Sequence, residues 1–129
     1  MDNLGNKELT PAQAWDLVQQ GAIYLDVRAA DEFLEGHAPG AVNIAYAARI
    51  QGKLLPRSEF LAEVQARFST HTKLVVACAA GGRSAKAVQL LAQAGYSQLW
   101  NMPAGWDGKR DAFGTVLTPG WKLSGLPTV

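Results

Sequence analysis

The chain has 129 residues, 48% hydrophobic and 18% charged, with twelve Lys plus Arg against eleven Asp plus Glu for a net charge of +1. That length fits one domain with its own core, the longest apolar run, Leu74 to Ala80, is far short of the ~20 residues of a membrane span, and so balanced a charge provides no field to hold nucleic acid or an anionic membrane. One cysteine excludes an internal disulfide, and with only His37 and His71 beside it there is no ligand set for a structural zinc site.

Residues Met1 to Thr10 are polar and contain no apolar signal core, so the expectation is a cytoplasmic chain whose residues 1–9 are a flexible leading segment. Thr10-Pro11-Ala12-Gln13 combines an N-cap Thr, a Pro at the first helical position and a Gln that closes a capping box, which predicts a helix over 11–20. Ala22 to Val27 and Ala41 to Ile44 read as strands, with a helical stretch over 30–35 between them. Tyr46 to Arg57 reads as a loop whose Arg49, Lys53 and Arg57 have no acid among them. A helix is expected over 58–68, with Phe60, Leu61, Val64 and Phe68 on one side. Lys73 to Cys78 is almost wholly apolar, as in a strand buried on both faces. A helix over 84–94 closed by Gly95 and a strand over 98–102 follow, and 108–120, with Gly114, Thr118 and Pro119, reads as a second loop. Strands alternating with helices argue for an α/β fold, because each crossover between parallel strands needs a helix to span it.

The sharpest feature is Cys78-Ala79-Ala80-Gly81-Gly82-Arg83-Ser84, directly after the buried strand and at the start of a helix. That junction lies at the carboxyl edge of the sheet, where open α/β folds bind ligands. Small residues and two glycines let successive N–H groups converge as an anion-binding nest beside a helix N-terminus. A lone Cys after an apolar strand is ordinarily an inert core residue. Such a residue needs neither a Gly-Gly bend nor a cation five positions on, whereas a nucleophilic thiolate uses both. Nothing in the sequence links His37 or His71 to Cys78 as a base, so a protease-type triad is not supported.

These residues resemble the rhodanese family of sulfurtransferases, in particular its small single-domain members. Cys78-x-x-Gly81-x-Arg83-Ser84 is similar to the family's active-site loop. Leu25-Asp26-Val27-Arg28 with Glu32-Phe33, then Gly36-His37-x-Pro39-Gly40-Ala41-x-Asn43-Ile44, resemble its N-terminal signatures, and Gly105-Trp106 with Trp121-Lys122-x-x-Gly125-Leu126-Pro127 its C-terminal part. The resemblance implies a single rhodanese-like α/β domain over 1–129, with a central, mostly parallel, five-stranded sheet and helices on both faces. It implies a thiosulfate sulfurtransferase without a cofactor. Cys78 would take sulfane sulfur from thiosulfate or a similar donor as a persulfide and pass it to cyanide or a thiol, including a thiol on a protein. By matching position Cys78 and Arg83 are the catalytic residues, Arg83 bracing the loop and adding charge. The amides of Ala79, Ala80, Gly81, Gly82 and Ser84 would cradle the sulfur, and Trp106 would lie close to the pocket.

Two rival readings stand beside this one. Relatives that act on phosphate esters or arsenate have one more residue between Cys and Arg, whereas four lie between Cys78 and Arg83 here, which favours sulfur. A sulfur carrier or protein-interaction domain is the other. Asp26 and Arg28, a charged pair at a strand's end beside Glu32, read as a local ion-pair and turn device, His37 as a turn-fixing residue, Asn43 as a backbone-satisfying one, and Trp106 as either core or pocket wall. The chain departs from the family pattern at Ala104, where a second Gly is common, and in the twelve residues Lys109 to Gly120, an inserted loop expected to screen one side of the pocket.

Overall fold

A computed structural model describes residues 7–129. Helix α1 (Pro11–Gln19) starts at the predicted box: Thr10 Oγ1 accepts from the Gln13 amide at 3.2 Å and Gln13 Oε1 accepts from the Thr10 amide at 2.9 Å. Strand β1 (Ile23–Asp26), helix α2 (Ala30–Glu35) and the short strand β2 (Val42–Asn43) follow. A hairpin of β3 (Ala47–Ile50) and β4 (Lys53–Pro56) leads to α3 (Phe60–Arg67), β5 (Leu74–Ala77), α4 (Gly82–Gln93) and β6 (Leu99–Asn101). A second hairpin, β7 (Gly108–Arg110) with β8 (Val116–Pro119), precedes a single 3-10 turn at Trp121–Leu123.

The central sheet has the order β2-β1-β5-β6, all parallel. Both faces of its two inner strands are covered, which explains why β5 is apolar throughout and β1 as far as Asp26. Leu25, Leu74 and Val76 face one side, where Phe60 and Val64 of α3 and Ala87 and Leu91 of α4 cover them. Tyr24, Val75 and Ala77 face the other, against Ala14 of α1 and Trp121. Trp121 is fully buried, meets Trp15 and Tyr24 edge to face at centroid distances of 5.9 and 5.3 Å, and donates from Nε1 to Pro127 O at 2.8 Å.

Three expectations are corrected. The sheet has four parallel strands, not five. Along the outer edge of β6 the chain makes only an isolated parallel bridge at Glu8 and Asn101, with the Leu9 amide bonded to Asn101 O and the Asn101 amide to Lys7 O, each at 2.9 Å. Pairing stops there because Thr10 turns the chain into α1. Of the segment 1–9 expected to be flexible, residues 1–6 lie outside the described residues and 7–9 are held on this edge. Both expected loops contain antiparallel hairpins. In the first, Gln51 and Gly52 adopt φ of 51° and 81°, the doubly left-handed turn whose twist matches a hairpin. In the second, Asp111 Oδ1 accepts from the amides of Phe113 and Thr115 at 2.9 and 3.0 Å, and so closes the turn with its own side chain.

Because Trp121 plugs the α1 side of the sheet, Trp121→Ala is expected to cost about 3–5 kcal/mol, read as a lower urea midpoint with an unchanged slope.

Candidate active site

Cys78 follows β5 at the carboxyl edge of the sheet and lies 2% exposed on the floor of a cavity of about 350 Å³. Its Sγ accepts from the Gly81 amide at 3.1 Å and the Ser84 amide at 3.3 Å, and lies 3.5 Å from Ser84 Oγ, which in turn donates to Gly81 O at 3.3 Å. Of the expected cradle, the amides of Gly81 and Ser84 therefore converge on the sulfur. Ala79, Ala80 and Gly82 line the cavity with it.

The loop holds this shape because its carbonyls are tied on the opposite side. Cys78 O accepts from the Trp106 amide at 2.8 Å, Ala79 O from the Asp107 amide at 2.9 Å, and Ala80 O from Lys109 Nζ at 2.9 Å. In a trans peptide the N–H points opposite to the C=O. The Lys109 contact to Ala80 O thus aims the Gly81 N–H of the same peptide unit at Cys78. Glycine is required at 81, where φ is +98° and a Cβ would stand 2.7 Å from Pro103 O. It is required again at 105, where a Cβ would stand 2.5 Å from the Cys78 and Ala79 carbonyl oxygens. That close approach lets residues 106–109 reach the loop.

The Arg83 side chain lines the cavity but bonds to Glu32, not to the sulfur. Its guanidinium takes both carboxylate oxygens of Glu32, at 2.7 and 3.1 Å, and so ties the start of α4 to α2. Glu32 also accepts from the Ala29 amide at 2.9 Å and lies 3.7 Å from Arg49. Burial works to raise the Glu32 carboxyl, but the bond from Arg83, the Ala29 amide and the charges of Arg83 and Arg49 outweigh it and hold the group below the usual glutamate range. Arg83 is shifted upward in return, chiefly by that same bond. Glu32 thus pairs with Arg83, while Asp26 and Arg28 pair beside it. Those two form their own buried pair at 2.8 Å, and Arg28 also donates to Gly36 O at 2.8 Å. Asn43 donates to the carbonyls of Asp26 and Arg28, both at 2.9 Å, and His37 Nδ1 lies 2.8 Å from Phe33 O with its ring stacked on Phe33.

Trp106 is placed in the core and not on the pocket wall. It is 8% exposed, packs with Trp121 and Met102, and lies under the Arg28 guanidinium at 4.9 Å; only its amide serves the site. The second hairpin does not screen the pocket either: it contributes none of the lining residues and braces the loop from behind through Lys109. The front wall comes from the first hairpin, as Ala47, Leu54 and Pro56, with Tyr46 beside them, and Lys86 of α4 completes the rim. Two of the three cations of that segment are met by acids outside it: Arg49 lies 3.6 Å from Asp31, and Arg57 pairs with Glu63 at 2.6 Å. Sequence reasoning missed Lys86 and Leu54. Lys86 had a legible signal, three residues beyond Arg83 and so on the same helix face, whereas Leu54 had none without the hairpin register.

The family of rhodanese-like domains matches residues 10–111 of the chain. The chain belongs to that family. This rhodanese-like domain is 35% identical over 115 residues to "Thiosulfate sulfurtransferase 16, chloroplastic" of Arabidopsis thaliana, covering 89% of this chain and 86% of that protein. It is 32% identical over 102 residues to "Thiosulfate sulfurtransferase GlpE" of Haemophilus influenzae, covering 79% of this chain and 86% of the other. Among solved structures, the crystal structure of Rv0390 from M. tuberculosis superposes with a TM-score of 0.79 at 28% identity, over 95% of this chain and 96% of that one.

Two outcomes follow from the rhodanese-like site. Removing the Lys109 contact in Lys109→Met frees the Ala80–Gly81 peptide to rotate, so alkylation of Cys78 by iodoacetamide at neutral pH is expected to slow by about two- to tenfold, the worth of about one hydrogen bond. Lys109→Arg is expected to recover most of the loss. The folded Glu32 carboxyl lies below its unfolded value, so its stabilising effect is full above about pH 4.3 and is lost as pH falls through the lower folded value. Glu32→Gln is expected to melt below the parent at neutral pH and to lose less melting temperature on acidification, measured by thermal scans from about pH 6 to about pH 3.

Proposed function

We propose that the domain is a thiosulfate-type sulfurtransferase working through a Cys78 persulfide. The observation that carries this reading is the pair of amides, from Gly81 and Ser84, aimed at a cysteine sulfur on the floor of an open cavity. An anion on Cys78 accepts both, and hydrogen bonds to a charged acceptor are roughly twice as strong as neutral ones. The names of the relatives support the same substrate class.

In the first half-reaction the Cys78 thiolate attacks the outer sulfur of thiosulfate. A new S–S bond forms at Cys78, the S–S bond of the donor breaks, and sulfite leaves with its electron pair. In the second, cyanide or a thiolate attacks the outer sulfur of the persulfide, and the Cys78 thiolate leaves with the electron pair of the S–S bond. Storing sulfur on the protein divides one transfer into two easier ones. Arg83, clamped by Glu32, serves as a positioning residue that keeps the start of α4, and with it the Ser84 amide, in place.

Incubation with thiosulfate is expected to add the mass of one sulfur atom to the intact protein, and cyanide to remove it as thiocyanate. Cys78→Ser is expected to lose both while keeping its thermal transition, because a hydroxyl is a far poorer nucleophile near neutral pH. A persulfide that forms but does not turn over with cyanide would point instead to a sulfur carrier for a protein acceptor. Hydrolysis of an aryl phosphate without any sulfur gain would point to phosphate chemistry.

A further inference from the structure

We infer that the groove between α4 and the outer edge of β6 is a second binding site, separate from the Cys78 cavity, for an uncharged purine nucleoside whose base pairs with the Asn101 carboxamide.

The groove holds about 650 Å³, more than the cavity over Cys78. Its floor follows from the register of the sheet. Leu74 pairs with Leu99 and Val76 with Asn101, so Leu99 and Asn101 lie on the face that α4 covers. Three of these four side chains are apolar, and the fourth is a carboxamide. Asn101 is 8% exposed, and its Oδ1 has no hydrogen-bond partner among the described residues. The backbone of Asn101 is satisfied by Lys7 and Leu9, which leaves the side-chain oxygen as the group in want of a donor. A buried amide oxygen without one is destabilising, and here an open cavity lies beside it through which a donor can arrive. Tyr24 Oη also has no partner among the described residues, but Tyr24 lines neither cavity.

The other walls specify the ligand. Ala85, Val88 and Ala92 stand at i, i+3 and i+7 on one face of α4, and the small exposed side chains of Ala85 and Ala92 leave an apolar strip about 10 Å long at 1.5 Å per residue. A carboxamide presents an acceptor and a donor side by side, and it is matched by a ligand with a donor next to an acceptor, as on the amino edge of adenine. Two fused rings also cover more of the strip than one. Adenosine, with about 19 heavy atoms of no more than about 30 Å³ each, fills at most about 570 Å³ and so fits the groove. Charge sets a further limit. Lys7 and Glu8 line the groove with one charge of each sign, and Lys7 Nζ already donates to Ser97 O at 3.2 Å. A phosphate gains nothing from that pair, so the ligand is a nucleoside rather than a nucleotide. The exposed side chains of Gln89 and Ser97 offer polar partners for sugar hydroxyls.

The test titrates adenosine into the full chain and follows its amide NMR signals, with two comparators: purine riboside, which lacks the 6-amino donor, and AMP. Adenosine is expected to bind saturably, one to one, and to shift residues 85–92 and the Asn101 side-chain amide. Purine riboside is expected to bind about tenfold more weakly, and AMP no more tightly than adenosine. Asn101→Leu is expected to weaken adenosine by about tenfold, and Ala92→Arg, at an exposed position in the groove, to block it, both with unchanged alkylation of Cys78 by iodoacetamide. Ala92→Arg and purine riboside keep the test decisive even where Asn101→Leu does not fold. Each readout is independent of sulfur transfer. The inference is overturned by any of four results: no saturable binding to the wild-type chain, equal affinity for adenosine and purine riboside, tighter binding of AMP, or full affinity in a folded variant at either position.

Discussion

Three successive carbonyls of the Cys78 loop are bonded from behind, by the amides of Trp106 and Asp107 and the ammonium of Lys109, and the site depends on this. A peptide plane is rigid, so fixing its oxygen on one side fixes its N–H on the other. The nest around Cys78 is therefore built as much from the segment after β6 as from the loop itself. That segment is admitted only because residue 105 has no side chain to collide with the Cys78 and Ala79 carbonyls. Its position is held in turn by Trp121, whose amide bonds to Gly105 O at 2.8 Å and whose indole fills the core on the α1 side. A stretch of core packing thus reaches the Cys78 loop through backbone hydrogen bonds and the Lys109 ammonium.

The charges of the site are organised by Glu32. One carboxylate caps the start of α2 through the Ala29 amide, holds Arg83 with both oxygens and lies near Arg49 of the first hairpin. It joins three elements that are distant in sequence and removes the free charge from two of the nearby arginines. What remains around the cavity is asymmetric: amides on the floor, the first hairpin in front, and a lysine on the rim. That distribution, rather than the number of cations in the sequence, governs which part of a ligand can be recognised where.

The two hairpins flank the loop and serve it differently. The first presents side chains to the cavity mouth, whereas the second reaches the loop with one lysine and sends Phe113 into solvent at its tip, 93% exposed. The difference follows from where each leaves the sheet. The first springs from the end of β2, whose neighbour β1 lies next to β5, and so it stands before the pocket. The second follows the segment already bonded to the rear of the loop.

By itself the sequence determined the alternating α/β plan, the capping box at Thr10, the strand buried on both faces and the placement of Cys78 at a strand-to-helix junction. These depend on local periodicity, on turn chemistry and on residues within a few positions of one another, which any reading along the chain can see. The backbone role of Asn43 and the turn at His37 were legible for the same reason. Tertiary structure alone decided that the sheet stops at four parallel strands, that two glycine-bearing loops are hairpins, and that Trp106 acts through its amide from within the core. It also decided which cations are neutralised: the partner of Arg83 lies 51 residues away and that of Lys109 29 residues away. Contacts at such separations leave no periodic trace in the sequence. They exist only once packing has brought the elements together, because the energy of a charge or a peptide group is set by what surrounds it in space.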